Sequence, residues 1–116
     1  MPLILRPAIV AVSETDIRRA IEKHVNASRE AHVWKNAQYH GLTPSGYIDA
    51  GLCVGSADLI GLTKRGRFFA IEVKTPKGRI SPEQLAWIEF VNQWGGFAAV
   101  ARSLDEAMGH VAKACI

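Results

Sequence analysis

Asp58 and the run Ile71-Glu72-Val73-Lys74 stand on either side of Lys64-Arg65-Gly66, which reads as a three-residue hairpin loop between two apolar strands. Gly66 supplies the positive φ such a loop needs. With that turn in place Thr63 faces Arg67 and Asp58 faces Glu72, and opposed residues of an antiparallel pair hold their Cβ atoms ~5 Å apart on one face. Side chains alternate along a strand, so Glu72 and Lys74 share that face. Two carboxylates placed side by side repel and resist ionisation unless a cation stands between them. Mg2+ takes about six oxygens, only one or two of them from carboxylates and the rest from water, backbone carbonyls and substrate phosphate. Asp58, Glu72 and the Val73 carbonyl fit that set. An isolated E-x-K triplet is commonplace as a solvated pair on an exposed strand. Here the strand Phe68 to Lys74 is apolar until its end and then charged, the pattern of a core strand whose terminus carries a site.

The elements that must position these groups are legible in the pattern. Ser13 predicts an N-cap with Asp16 three residues on, and Ile17, Ala20, Ile21, His24 and Val25 give a helix over Glu14 to Ser28. Ala31 to Asn36 predicts a short strand, followed by a long polar, glycine-rich loop through Thr43-Pro44-Ser45-Gly46 to Gly51. Loops beyond ~12 residues in a compact domain are usually functional, which makes this one a candidate substrate-contacting flap. The hairpin Gly55–Leu62 and Arg67–Lys74 comes next, then the basic turn Pro76-Lys77-Gly78-Arg79. Ser81-Pro82-Glu83-Gln84 opens a second helix with a cap serine, a first-turn proline and a reciprocal glutamine. Leu85, Ile88, Val91 and Trp94 are its expected buried stripe, and Gly95-Gly96 ends it. Phe97 to Ala101 predicts a last strand, and Ser103-Leu104-Asp105-Glu106 caps a helix placing Ala107, Met108, Val111 and Cys115 on the sheet. The order α-β-β-β-α-β-α, with a βαβ crossover after the hairpin, predicts an α/β fold whose mixed sheet carries helices on both faces.

Composition sets the outer bounds. A chain of 116 residues makes one domain, and 48% hydrophobic with 22% charged residues is the balance of a soluble globular protein. A net charge of +3 permits a polyanionic partner without demanding one. Cys53 and Cys115 lack paired spacing and the four histidines lack ligand spacing, so neither a disulfide framework nor a zinc site is indicated and a cytoplasmic protein is expected. No segment reaches the ~20 apolar residues of a membrane span. Residues 1–12 are expected to form an N-terminal arm, packed on its own chain or on a second copy, with the functional domain over 13–116.

At this point the sequence resembles the VRR-NUC branch of the PD-(D/E)xK, restriction-endonuclease-like superfamily of nucleases. The residues that carry the resemblance are the Ser13-Glu14 helix start, Trp34-Lys35-Asn36, Gly55-Ser56-Ala57-Asp58-Leu59-Ile60-Gly61, Gly66 through Lys74, Gly78 with Ser81-Pro82-Glu83-Gln84, and Gly95-Gly96-Phe97 ahead of Val100-Ala101-Arg102-Ser103. Ala57 stands where the superfamily's name calls for proline, a position this branch often varies. The resemblance implies an α-β-β-β-α-β core and a metal-dependent, structure-selective DNA endonuclease, with resolution of Holliday junctions as one activity it would suit. A silent nucleic-acid-binding module of the same fold is the alternative.

The resemblance also implies an acidic residue on the first helix near the metal, either Glu14, at the helix start, or Glu22, eight residues on. First-turn electrostatics would account for Glu14 equally well. Asp58 and Glu72 would hold Mg2+ or Mn2+ with the Val73 carbonyl and the helix-one acid, for Lewis-acid hydrolysis of a phosphodiester. Lys74 would orient or help deprotonate the attacking water, and Gln84 would orient Lys74 or that water unless it serves only as a cap. Lys35, Lys64, Arg65, Lys77 and Arg79 are the expected phosphate contacts. Trp34 could stack on exposed bases, whereas Trp87 and Trp94 are expected in the core. The expected partners are branched or four-way-junction DNA and a second copy in a homodimer, whose symmetry matches that of a junction.

Overall fold

The computed structural model of the protein describes residues 12–116, so the expected N-terminal arm lies outside the described residues except for Val12. Helix α1, Glu14–Ser28, begins where the Ser13 side chain accepts the Asp16 N–H at 3.1 Å. Its Ile17, Ile21 and Val25 fall at helical spacing and are buried. Strand β1 is Ala31–Lys35, β4 is Leu59–Thr63, β5 is Phe68–Val73 and β6 is Phe97–Ala101; with β2, Tyr39–Thr43, and β3, Gly46–Ala50, they complete the strands. Helix α2, Pro82–Gln93, lies between β5 and β6, and α3, Leu104–Ala114, closes the described chain.

Four strands make one sheet in the order β1-β4-β5-β6, antiparallel except for the parallel pair β5–β6 that α2 connects. On one face α1 and α3 bury Val33, Leu59, Phe69, Ile71 and Val73, and on the other α2 lays Trp87, Ile88 and Val91 over Ala57, Ala70 and Ala98. At ~1.5–3 kcal/mol for each large side chain removed from water, these two layers dominate the favourable side of folding. The sheet's outer strands are held by side-chain amides. Asn26 exchanges two hydrogen bonds with the backbone of Val33 on β1, and Asn92 does the same with Ala98 on β6. Each amide reads a strand residue as a neighbouring strand would, and so ties α1 and α2 to the sheet.

Two expectations are corrected. The stretch expected as a loop from Asn36 to Gly51 is in large part a second, two-stranded sheet, β2 paired antiparallel with β3 from Tyr39↔Ala50 to Thr43↔Gly46. Both strands are short and carry an internal or terminal glycine, so they lack the apolar alternation by which a strand is recognised. The buried stripe of α2 is Trp87, Ile88 and Val91 in place of Leu85, Ile88, Val91 and Trp94, and Trp94 is 78% exposed. The helix is rotated because Gln84, Trp87, Ile88 and Val91 form the inward row, and a polar residue at its head hides the stripe in the sequence.

Candidate metal centre

The hairpin geometry that brings the carboxylates together begins at Gly66, with φ 84°, where the Thr63 N–H donates to Arg67 O at 2.9 Å and the Gly66 N–H to Thr63 O at 2.8 Å. The register then runs Leu62↔Phe68 to Leu59↔Ile71. One step further the ladder stops, and Asp58 takes up its next bond with a side chain: Asp58 Oδ2 accepts the Val73 N–H at 2.9 Å. In an extended strand a residue's N–H and C=O leave the same edge, so the Val73 carbonyl also points toward the Asp58 side. Asp58 thus lies near the plane of the sheet, beyond the end of β4.

Glu72 and Glu14 reach the same place from different elements. Glu72 is on the α2 face of β5, only 2% exposed, and Glu14 opens α1 on the opposite layer. One carboxylate oxygen from each of Glu14, Asp58 and Glu72 lies within 4.8 Å of the others. Glu22 does not join them, being paired with Arg18 at 3.3 Å on α1. Glu72 Oε1 accepts a hydrogen bond from Gln84 Nε2 at 3.0 Å and faces Lys74 Nζ at 3.7 Å. Gln84 also caps: its Oε1 accepts the Ser81 N–H at 2.9 Å while Ser81 Oγ accepts the Gln84 N–H at 3.1 Å. One side chain therefore fixes the start of α2 and orients the buried carboxylate. Gly55, φ 87°, keeps this helix close to the Asp58 segment, because a Cβ there would stand 2.5 Å from the Glu83 carbonyl oxygen.

The electrostatics are those of a cation site. Burial, first, and then the charges of Asp58 and Glu14 push the Glu72 carboxyl from 4.5 up to about 8, against the pull of Lys74. Glu72 Oε2 is buried with no hydrogen-bond partner among the described residues. An orphaned carboxylate oxygen beside two further carboxylates is the donor set a hard divalent cation completes. The acidic group therefore fits such an ion. A recess of about 190 Å3 opens beside it, lined by Glu14, Thr15, Arg18, Lys35, Asn36 and Asp58.

The expected phosphate contacts divide. Lys35 lines the recess, and Lys77 and Arg79 are exposed on the loop after Lys74. That loop is pinned by Arg102, whose Nη1 donates to Thr75 O and Gly78 O, each at 2.7 Å. Lys64 and Arg65, in contrast, sit on the hairpin turn at the far end of β4, about 20 Å from Asp58 at ~3.3 Å per residue. A turn that aligns Asp58 with Glu72 must itself lie one strand length away, so these two do not surround the carboxylates. Of the tryptophans, Trp87 is buried while Trp34 is 52% exposed on β1.

Sequence reasoning missed the groups that hold the recess wall. Asn36 is buried and donates to Ser56 Oγ at 2.8 Å and Ala57 O at 2.9 Å, and its Oδ1 accepts the Leu52 N–H at 3.2 Å. Gln38 Nε2 donates to Ser56 O at 2.7 Å. A polar amide directly after an apolar strand, Val33-Trp34-Lys35-Asn36, was the available signal.

The VRR-NUC domain family model matches residues 11–105, most of the chain, and the protein belongs to that family. A solved VRR_NUC domain structure superposes with a TM-score of 0.61 over 85% of this chain and 94% of the other, at 20% sequence identity, which shows the shared fold. No curated protein matches the chain. VRR-NUC domains are a branch of the PD-(D/E)xK nucleases, so the chain carries a nuclease-type domain, with the contact to DNA that this implies, in a family that typically uses a divalent metal. No helix among the described residues is long and apolar enough to cross a membrane.

Proposed function

We propose that the protein is a Mg2+- or Mn2+-dependent, structure-selective endodeoxyribonuclease in which Glu14, Asp58, Glu72 and the Val73 carbonyl hold the ion. The single observation that carries this reading is the partnerless, buried Glu72 Oε2 within a group of three carboxylates drawn from α1, the β4 entry and β5. When bound, a divalent cation there supplies Lewis-acid polarisation of the scissile phosphate. Lys74, 3.7 Å from Glu72 Oε1, orients the attacking water in this reading and offsets negative charge developing on the phosphate. Gln84 holds Glu72 in the orientation that keeps Oε2 free. Lys35 on one side and Lys77 and Arg79 on the other bind the flanking phosphates, each contact adding ~0.9 to the salt dependence of binding. Four-way junctions are the substrate that suits a two-fold pair of such sites. Exposed Trp34, Leu62, Phe90 and Trp94 give the described surface apolar area for a homodimer contact.

A panel of labelled DNAs, namely linear duplex, nicked duplex, flap and four-way junction, tests the proposal in Mg2+, Mn2+, Ca2+ and EDTA. Branched forms are expected to be cut in Mg2+ and Mn2+. Ca2+ should support binding without cutting, because its larger, looser shell aligns the attacking water poorly. Tight binding with no cutting in either metal would instead establish a silent binding module.

A further inference from the structure

The β2–β3 hairpin springs from the site end of the sheet, directly after Lys35 and Asn36 of the recess wall. Its base is fixed: Asn36 and Gln38 together make three hydrogen bonds to Ser56 and Ala57, just ahead of Asp58. Its tip is closed by the Thr43 hydroxyl, which donates to Gly46 O at 2.8 Å and accepts the Ser45 N–H at 3.2 Å. The register pairs Leu42 with Tyr47 next to the turn and His40 with Asp49 below them, on one face. Leu42 is 78% and Tyr47 68% exposed.

Charge is distributed unevenly around this element. Of the 14 Lys and Arg residues of the chain none falls between Asn36 and Thr63, and the charged groups within that span are Asp49 and Asp58. An apolar-tipped arm that carries no cation, and whose one carboxylate, Asp49, is paired with His40, is unsuited to phosphates and suited to the faces of bases, where stacking is sequence-tolerant. A second copy of the chain is a poorer occupant. At roughly 200 Å2 for a side chain of this size, Tyr39, Leu42, Tyr47 and Ile48, 50, 78, 68 and 43% exposed, offer about 500 Å2 against the ~800 Å2 per partner of a stable interface.

Building on the nuclease reading, we propose that the hairpin is a wedge: Leu42 and Tyr47 enter the discontinuity of a branched DNA and stack on the bases exposed there while the phosphate lies at the carboxylates. Branch selectivity then resides in the hairpin and hydrolysis in the sheet. Leu42 is six residues beyond Asn36, so the tip stands at most about 20 Å from the recess wall, or about six nucleotide spacings of 3.4 Å. Cuts should therefore fall within about six nucleotides of the branch point.

The test places 2-aminopurine at the branch of a flap and of a four-way junction and follows its fluorescence with the intact protein in Ca2+, where no strand is cut. Wild type should raise the signal severalfold, and Tyr47→Phe should retain the rise. The Leu42→Ser/Tyr47→Ser double variant should abolish it and lower the preference for branched over linear DNA by about tenfold. Circular dichroism verifies that the variant is folded. Wild-type binding without a rise, or a double variant that keeps the preference, overturns the wedge, as does a double variant whose loss tracks a halved mass in light scattering. Unstacking by a protein that never cuts in Mn2+ would overturn the nuclease reading alone, and cutting without unstacking would overturn the wedge alone.

Discussion

At the scale of single residues, Glu72 would join the chain's stability to the proposed metal chemistry. Its carboxyl is raised from 4.5 to about 8, so the folded, metal-free chain holds a proton that the unfolded chain releases over that interval. The stabilising contribution is complete below about pH 4.5 and is lost as pH rises toward 8. Thermal melts in EDTA should show Tm falling between pH 5 and 8. Added Mn2+ should reduce the fall, and Glu72→Gln, which has no proton to lose, should flatten it. Metal must displace the same proton, so calorimetric Mn2+ affinity should tighten by up to about tenfold per pH unit below 8 and level off above it. A metal affinity independent of pH from 6 to 8 would contradict the arrangement. The carboxylate pair itself was legible from Asp58, Gly66 and Glu72 because hairpin register is arithmetic. The in-plane turn of Asp58 to the Val73 N–H was not, since it depends on where the ladder ends.

At the scale of elements, α2 serves the site through its first turn. Ser81→Ala removes a cap and should cost about 1 kcal/mol in denaturant melts, with activity per folded molecule kept. Gln84→Ala removes both the cap and the donor to Glu72 Oε1 and should lower kcat by about tenfold or more in addition. Equal kcat losses for the two variants would place the effect in the helix and not in the carboxylate. The start of this helix was plain from Ser81-Pro82-Glu83-Gln84, whose caps are local chemistry. Its buried face was not, because Gln84 heads the inward row and exposed Leu85 and Trp94 imitate a stripe. The hairpin β2–β3 was hidden for a related reason: Gly41, Pro44 and Gly46 read as loop, and what fixes its base is a distant amide network from Asn36 and Gln38 to Ser56 and Ala57. Long-range hydrogen bonds of this kind leave no periodicity.

At the scale of the whole molecule, one sheet holds three jobs apart: a core of two layers, a carboxylate group at the end where Asp58 and Glu72 emerge, and a projecting hairpin beside it. A domain of this size offers a small footprint on branched DNA, and a two-fold pair would double it. Light scattering at micromolar concentration should report about twice the 12.7 kDa chain mass. A strict monomer that cuts both strands of a junction symmetrically would rule the pairing out. The most direct test of the carboxylate centre is single-turnover cleavage of one labelled four-way junction by wild type and by Asp58→Ala, Glu72→Gln, Lys74→Ala and the Glu72→Gln/Lys74→Ala double variant, each in Mn2+ and in EDTA. Wild type should cut only with metal, each single variant should lose about a hundredfold or more, and the double variant should be scarcely slower than either single, as for groups acting as one unit. Equal cutting in EDTA, or a double-variant loss equal to the product of the two single losses, would contradict a shared metal-dependent site at Asp58, Glu72 and Lys74.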